Sequence, residues 1–228
     1  MKTTKPFLMV TTSNNVKGET GIPTGFWLSE LTHPLKKLVD AGYSYEIASV
    51  KGGNPPMDPA ALSAPDAVND FFMNDADFKS KLENSLCIDD VNPEDYAGIF
   101  FAGGHGTMWD FADSQGIQRV AGAIYDNGGI VSAVCHGPAA LVNVKVADGS
   151  YLVAGKKVAA FTNGEEEEVQ GVGVVPYLLE DALKEHGANH ISTPNWSDHV
   201  EVDGRLITGQ NPQSAASVGD ALVAALEA

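Results

Sequence analysis

Cys135 and His136 stand side by side in "AVCHGPAAL", where the apolar run "IVSAV" meets a glycine and a proline. Strand, cysteine, then helix is the pattern of a nucleophile elbow. A thiol at a helix start feels the positive end of the dipole, which favours the thiolate. Gly137 lets the backbone pass closely, and Pro138 is tolerated in a first helical turn. His136 is less certain in role, because adjacent side chains normally diverge. It reads either as the partner of Cys135 or as a helix-start residue satisfied by backbone. A lone cysteine after an apolar strand usually belongs to the core, and it is the flanks of Cys135 that favour the nucleophile; the other cysteine, Cys87 in "SLCIDD", lacks such flanks.

Other residues could serve that thiol. The glycines of "AGGHGTMWDF" end an apolar run and could expose amide N–H groups to an oxyanion. His105 between them either contacts a ligand or is simply exposed. Glu30 lies among Trp27, Leu28 and Leu31. It is an exposed helical glutamate or one tucked toward the sheet. In the second case its pKa rises and it can exchange a proton with a thiol. The run Glu165–Glu168 reads first as a solvated face at a helix start, although one of the four could orient a histidine.

Positioning these residues requires strands that end together. Short apolar runs, "PFLMVTT", "YEIASV", "AGIFFAGG", "IVSAV" and "KKVAAF", read as buried strands. Between them lie helical patterns: "FWLSELTHPLKKLVDAG", "IQRVAGAIYDNGG", a helix opening at "HGPAALVNV", and the amphipathic "VVPYLLEDALKEHGA". "VEVDGRLITG" reads as a hairpin, and "NPQSAASVGDALVAALEA" as a closing helix. This alternation predicts an α/β fold with a mostly parallel sheet sandwiched between helices. One domain over residues 1–228 is expected. An insertion at about 51–92, rich in Pro and Asp and helical around Phe71–Leu86, should cap one end of the sheet. Ligands of such sheets bind beyond the carboxyl ends of the strands. "FFAGGHG", "SAVCHG" and "AAFTNGEEEE" all end strands there.

Composition narrows the function classes. Hydrophobic residues make up 43% of the 228, enough for a substantial core. The net charge of −16 argues against nucleic acid as a partner. Two cysteines outside any CxxC pair make no disulfide framework. The N-terminal apolar run is too short for a signal peptide, and no run is long enough for a membrane span. A cytoplasmic protein is expected, with no membrane partner.

"AVCHGPAAL", "AGGHGTMWDF", "FTNGEEEEV" and "VPYLLEDAL", with "SELTHP" near the start, resemble the ThiJ/PfpI superfamily. The Met108-Trp109-Asp110 segment, the insertion and "TGQNPQSA" resemble its heat-inducible chaperone branch, which includes glutathione-independent glyoxalase III. The resemblance implies a flavodoxin-like, class I glutamine amidotransferase-like fold. It makes Cys135 the nucleophile, His136 the triad histidine and Glu30 an acid contacting the sulfur. Gly104 and the His136 amide become the oxyanion donors. The triad acid falls at Glu166, with Glu165 open as the alternative register. It implies a small 2-oxoaldehyde substrate, methylglyoxal, converted with water to lactate. No cofactor or metal is expected, and a homodimer is. An amidase or peptidase, and a stress chaperone or redox sensor, are the rival readings. "WSDHVEVDG" nominally offers the His-x-Glu of glutamine amidotransferases, at His199 and Glu201, in the wrong context for that role.

Overall fold

The computed structural model describes residues 4–228. Strand β1 (Phe7–Thr11) is buried along its whole length, and a loop leads to helix α1 (Leu28–Asp40). Strand β2 (Tyr45–Ser49) follows. The next segment carries α2 (Ala67–Met73), α3 (Ala76–Glu83) and the short strand β3 (Leu86–Cys87). Asp66 and Asp75 cap the two helices with their side chains. This insertion does not merely cap the sheet, because β3 pairs with β2 and extends the sheet edge.

Strand β4 (Gly98–Phe101), the one-turn α4 (Thr107–Asp110), α5 (Gln115–Asp126) and β5 (Ile130–Val134) come next. Then come β6 (Lys157–Val158), α6 (Asn163–Glu168), α7 (Leu179–Glu185) and β7 (Asn189–His190). The hairpin β8 (Val200–Asp203) and β9 (Leu206–Gly209) leads to α8 (Ala215–Glu227).

Among the described residues seven strands form one sheet, in the order β3-β2-β1-β4-β5-β9-β8. Every pair is parallel except β8 with β9. Helices α1 and α8 pack together, and the central strands β1, β4 and β5 are buried throughout. This is the α/β sandwich that the apolar runs predict.

Three elements differ from expectation. "KKVAAF" contributes only Lys157–Val158, paired with β7 in a separate two-stranded sheet. Its remainder runs beside the main sheet, with the Ala159 amide on Thr208 Oγ1 and the Phe161 amide on the Cys135 carbonyl. Helix α7 is shorter than the amphipathic pattern suggests, because residues 171–178 form turns around Pro176. Immediately after the Cys135 turn the chain does not enter an α-helix. Gly137–Leu141 is a single stretch of 3₁₀-helix. No helix among the described residues is long and apolar enough to cross a membrane.

Candidate active site

The paired strands β4 and β5 run in the same direction and deliver their ends side by side. From β5 the chain turns at Cys135, whose φ of +60° is a left-handed value rare for a side-chain-bearing residue. The turn is held from both sides. The Cys135 amide donates to the Gly209 carbonyl at 3.0 Å, and the Cys135 carbonyl accepts from the Phe161 amide at 2.9 Å. Strain of this kind costs about 1–3 kcal/mol and persists where its surroundings over-determine it. The turn also overcomes the normal divergence of adjacent side chains, because His136 Nδ1 lies 3.4 Å from Cys135 Sγ.

His136 is itself positioned by α6. Its Nε2 lies 2.7 Å from Glu166 Oε2, and the other carboxylate oxygen is 2.9 Å from His105 Nε2. Burial pushes the Glu166 carboxyl up, but the hydrogen bonds and charges of His105 and His136 outweigh it and leave the pKa lowered. An ionised carboxylate only accepts, so His136 carries its proton on Nε2 and turns the lone pair of Nδ1 to the thiol. Burial, helped by the charge of His105, lowers His136 to about 4 despite Glu166, so the ring is neutral at pH 7. His105 stacks against it with ring centroids 4.3 Å apart. His105 is therefore neither free nor merely exposed, since it shares the carboxylate of the candidate triad.

The four glutamates have different surroundings. Glu167 and Glu168 are exposed, as a solvated face requires, but Glu165 and Glu166 are buried. Glu165 forms a capping box with Thr162, its Oε2 accepting from the Thr162 amide. Its Oε1 accepts from the Trp196 amide and from Gln210 and Asn211. That use of Glu165 leaves Glu166 to face the histidines. The spacing Thr162-x-x-Glu165 is a capping-box signature, and it is the sequence signal that separates the two.

Glu30 is in the first turn of α1, with no exposed surface. The Trp27 amide donates to the Gly103 carbonyl at 3.0 Å and ties this helix start to the glycine loop. Burial raises the Glu30 carboxyl from 4.5 to about 8, partly offset by the Cys135 thiol and the Gly103 amide. Neither carboxyl oxygen has a partner of good hydrogen-bond geometry, so the neutral acid is the form this site favours. Cys135, only 3% exposed, is also pushed well up, first by burial and then by Glu30. The thiolate expected from a helix dipole is therefore corrected. One short 3₁₀ stretch cannot offset the desolvation of a sulfur beside a carboxyl.

Gly104 has φ +102°, and a Cβ there would collide with the Gly25 carbonyl and the Trp27 amide. Among the described residues the amides of Gly104 and His136 donate to no backbone carbonyl, and both residues line a pocket of about 330 Å³ with Glu30, His105 and Cys135. A larger cavity of about 520 Å³ lies beside Lys79 and Glu83, away from these groups. His105, His136 and Glu166 present nitrogen and oxygen atoms within 4.8 Å of one another, a donor set that suits a divalent metal. Here the two hydrogen bonds to Glu166 satisfy them mutually. His199 pairs with Glu201 at 3.2 Å, and neither lines the pocket.

Some site residues have no forecast in the sequence reading. Trp27, Phe161 and Trp196 form pocket walls. At Gly171 a Cβ would fall on Glu166 Oε1, so this loop residue must be small for Glu166 to keep its place beside the histidines. Aromatic side chains in loops carry no periodic signal, and the demand on Gly171 comes from a contact made only in the folded chain.

The fold is a mostly parallel α/β sandwich whose strand ends bring a cysteine, its neighbouring histidine and a buried glutamate together. The chain belongs to the DJ-1/PfpI family, whose model matches residues 22–225. It is 34% identical to Glyoxalase 3 of Candida albicans over 98% of both chains. It is equally similar, 34% over 98% of both, to the glutathione-independent glyoxalase HSP31 of Saccharomyces cerevisiae. Its structure matches that of Rapid Encystment Protein 24 kDa from Francisella tularensis with a TM-score of 0.94. Sequence identity there is 44%, covering 97% of this chain and 99% of the other.

Proposed function

We propose that the protein is a glutathione-independent glyoxalase that converts methylglyoxal and water to lactate. The observation that carries this reading is a thiol placed between a neutral buried acid and a neutral histidine, Glu30 and His136, at the floor of a small pocket. The names of the full-length relatives support the same activity.

The chemistry balances without an external reductant or oxidant. As Cys135 Sγ bonds to the aldehyde carbon, its proton passes to His136 Nδ1. The resulting imidazolium is stabilised by Glu166. The amides of Gly104 and His136 stabilise negative charge developing on the aldehyde oxygen, and Glu30 supplies that oxygen with a proton. Glu30, now a carboxylate, then takes the hydrogen of the former aldehyde carbon. The electron pair moves into an enediol as the His136 imidazolium gives its proton to the ketone oxygen; Glu30 then returns a proton to the neighbouring carbon and takes the hydroxyl proton of the sulfur-bearing carbon, which leaves a lactoyl thioester, neutral His136 and protonated Glu30. Water, activated by His136, cleaves the thioester and restores the thiol. The aldehyde carbon is oxidised and the ketone carbon reduced within one molecule.

A Cys135 only 3% exposed, in a pocket of about 330 Å³, suits a compact aldehyde better than an extended peptide, which needs a long groove with the sulfur accessible along it. The experiment is lactate formation from methylglyoxal in the absence of glutathione, with peptides and amides in parallel. Lactate production abolished in Cys135→Ser is expected. Amide cleavage dependent on Cys135, with no lactate, overturns the reading. A homodimer is expected in solution, which sedimentation velocity reads.

A further inference from the structure

The pocket has room beyond the two carbonyls and methyl group of methylglyoxal. About 330 Å³ lies within the range of roughly 300–1,000 Å³ that holds drug-sized ligands, whereas methylglyoxal carries only a methyl group beyond its two carbonyls. Besides Cys135, the lining includes three aromatic side chains, Trp27, Phe161 and Trp196, which a substituent beyond the carbonyls could meet. Among the described residues no Lys or Arg lines the pocket, so no permanently charged cation there faces an acidic substituent.

Trp196 is held in an unusual way. Its backbone is left-handed, with φ +62°. Its amide donates to Glu165 Oε1 at 2.9 Å. Its indole N–H donates to Glu168 Oε2, while the neighbouring Asn195 amide group donates to Glu168 Oε1 at 2.7 Å. The ring meets Phe161 edge-on, with centroids 5.6 Å apart and planes at 66°. A half-buried tryptophan at a pocket mouth would ordinarily sample several rotamers. Here both of its N–H groups are tied to α6, the helix that also carries Glu166. A wall fixed in advance loses little conformational entropy when a ligand packs on it.

We propose that Trp196 is a specificity-determining residue that selects 2-oxoaldehydes with a flat, uncharged aryl substituent, which packs against its indole. The substrate class rests on the glyoxalase reading; the aryl wall does not. Offset or edge-to-face contacts with the indole and Phe161 favour a ring over a methyl group. The second and fourth glutamates of the run thereby acquire related duties: Glu166 sets the histidine and Glu168 sets the wall.

The test compares phenylglyoxal with methylglyoxal in steady-state kinetics. It also compares alkylation of Cys135 by phenacyl bromide and by iodoacetamide, which needs no turnover. In the wild type kcat/KM is expected to favour phenylglyoxal, and phenacyl bromide to label Cys135 faster. Trp196→Ala should lower both ratios tenfold or more, the kinetic one through the KM of phenylglyoxal. Trp196→Phe should restore most of each ratio. Glu168→Gln, a change at the surface that leaves the core untouched, should lower both by a smaller factor through a looser indole. Ratios unchanged in Trp196→Ala, or in Glu168→Gln should Trp196→Ala not fold, overturn the proposal. If no 2-oxoaldehyde is turned over but the alkylation ratio collapses in Trp196→Ala, the glyoxalase reading fails and the aryl wall stands.

Discussion

His136 reaches Glu166, 30 positions further along the chain, with Nε2 at 2.7 Å from Oε2. That contact decides the chemistry of the opposite edge of the ring. Because Nε2 keeps the proton, Nδ1 offers its lone pair to Cys135 Sγ at 3.4 Å. Glu166 thus acts on the sulfur without touching it. The second oxygen of the carboxylate, engaged by His105, prevents its rotation away.

The two carboxyls next to each other in α6 should fail differently. Glu166→Gln places an amide N–H₂ against one of the two histidines, so the ring tautomer or the His105 contact is lost. We expect kcat to fall by about 10²–10⁴-fold with a small change in Tm. Glu165→Gln turns an amide nitrogen toward either Thr162 or Trp196, where donors already point. It should cost about 2 kcal/mol or more in stability, read as a lower Tm, with a smaller loss in kcat. Equal, small effects at both positions would return the run to the role of a solvated face.

The pH dependence follows from Glu30 and His136. Catalysis as proposed needs His136 neutral and Glu30 protonated, so kcat/KM for methylglyoxal should rise through about 4 and fall through about 8. Stability should follow Glu30 as well. The folded chain binds its proton more tightly than the unfolded chain, so this contribution is full below 4.5 and is lost as pH rises through about 8. Glu30→Gln, which is neutral at every pH, should abolish turnover and remove the fall in Tm over that window. A Tm that falls with pH identically in both proteins would assign the loss to other groups.

The two cysteines should separate cleanly. Cys87 lies on the edge strand β3, with its sulfur 3.6 Å from the Val50 carbonyl, far from any general base described above. Cys87→Ser should keep methylglyoxal turnover near the wild-type rate, whereas Cys135→Ser should lose about 10³-fold or more. Substantial activity in Cys135→Ser would remove the covalent route.

Gly171→Ala tests the packing of the triad acid. Its methyl group would fall on Glu166 Oε1, so the carboxylate must move. A displacement of about 1 Å in such a site costs roughly 10–100-fold in rate, and kcat is expected to drop by that factor with circular dichroism unchanged. An active Gly171→Ala enzyme would mean that Glu166 tolerates more freedom than the geometry allows.

The apolar runs made the sheet legible because a buried parallel strand must be apolar on both faces, and glycines mark where each strand ends. The same logic placed "FFAGGHG", "SAVCHG" and "AAFTNGEEEE" at one edge, and β4, Cys135 and α6 do meet there. Burial by itself does not separate a strand or helix from other buried backbone. "KKVAAF" is as apolar as a strand, but most of it hydrogen-bonds to the elbow and to Thr208 instead of joining a ladder. The glycine and proline after His136 fit a helix start, yet the chain makes only 3₁₀ turns there.

The sequence by itself determined the architecture and placed Cys135, the glycine loop and the glutamate run at strand ends, because these depend on local periodicity and on residue type. Tertiary structure decided which of them act on one another. A single left-handed φ at Cys135 turned two diverging neighbours into a pair. The capping box took Glu165 and left Glu166 for the histidines. Complete burial made Glu30 a neutral acid and kept Cys135 a thiol. Each of these depends on desolvation or on contacts between segments distant in the chain, and neither quantity leaves a period in the sequence.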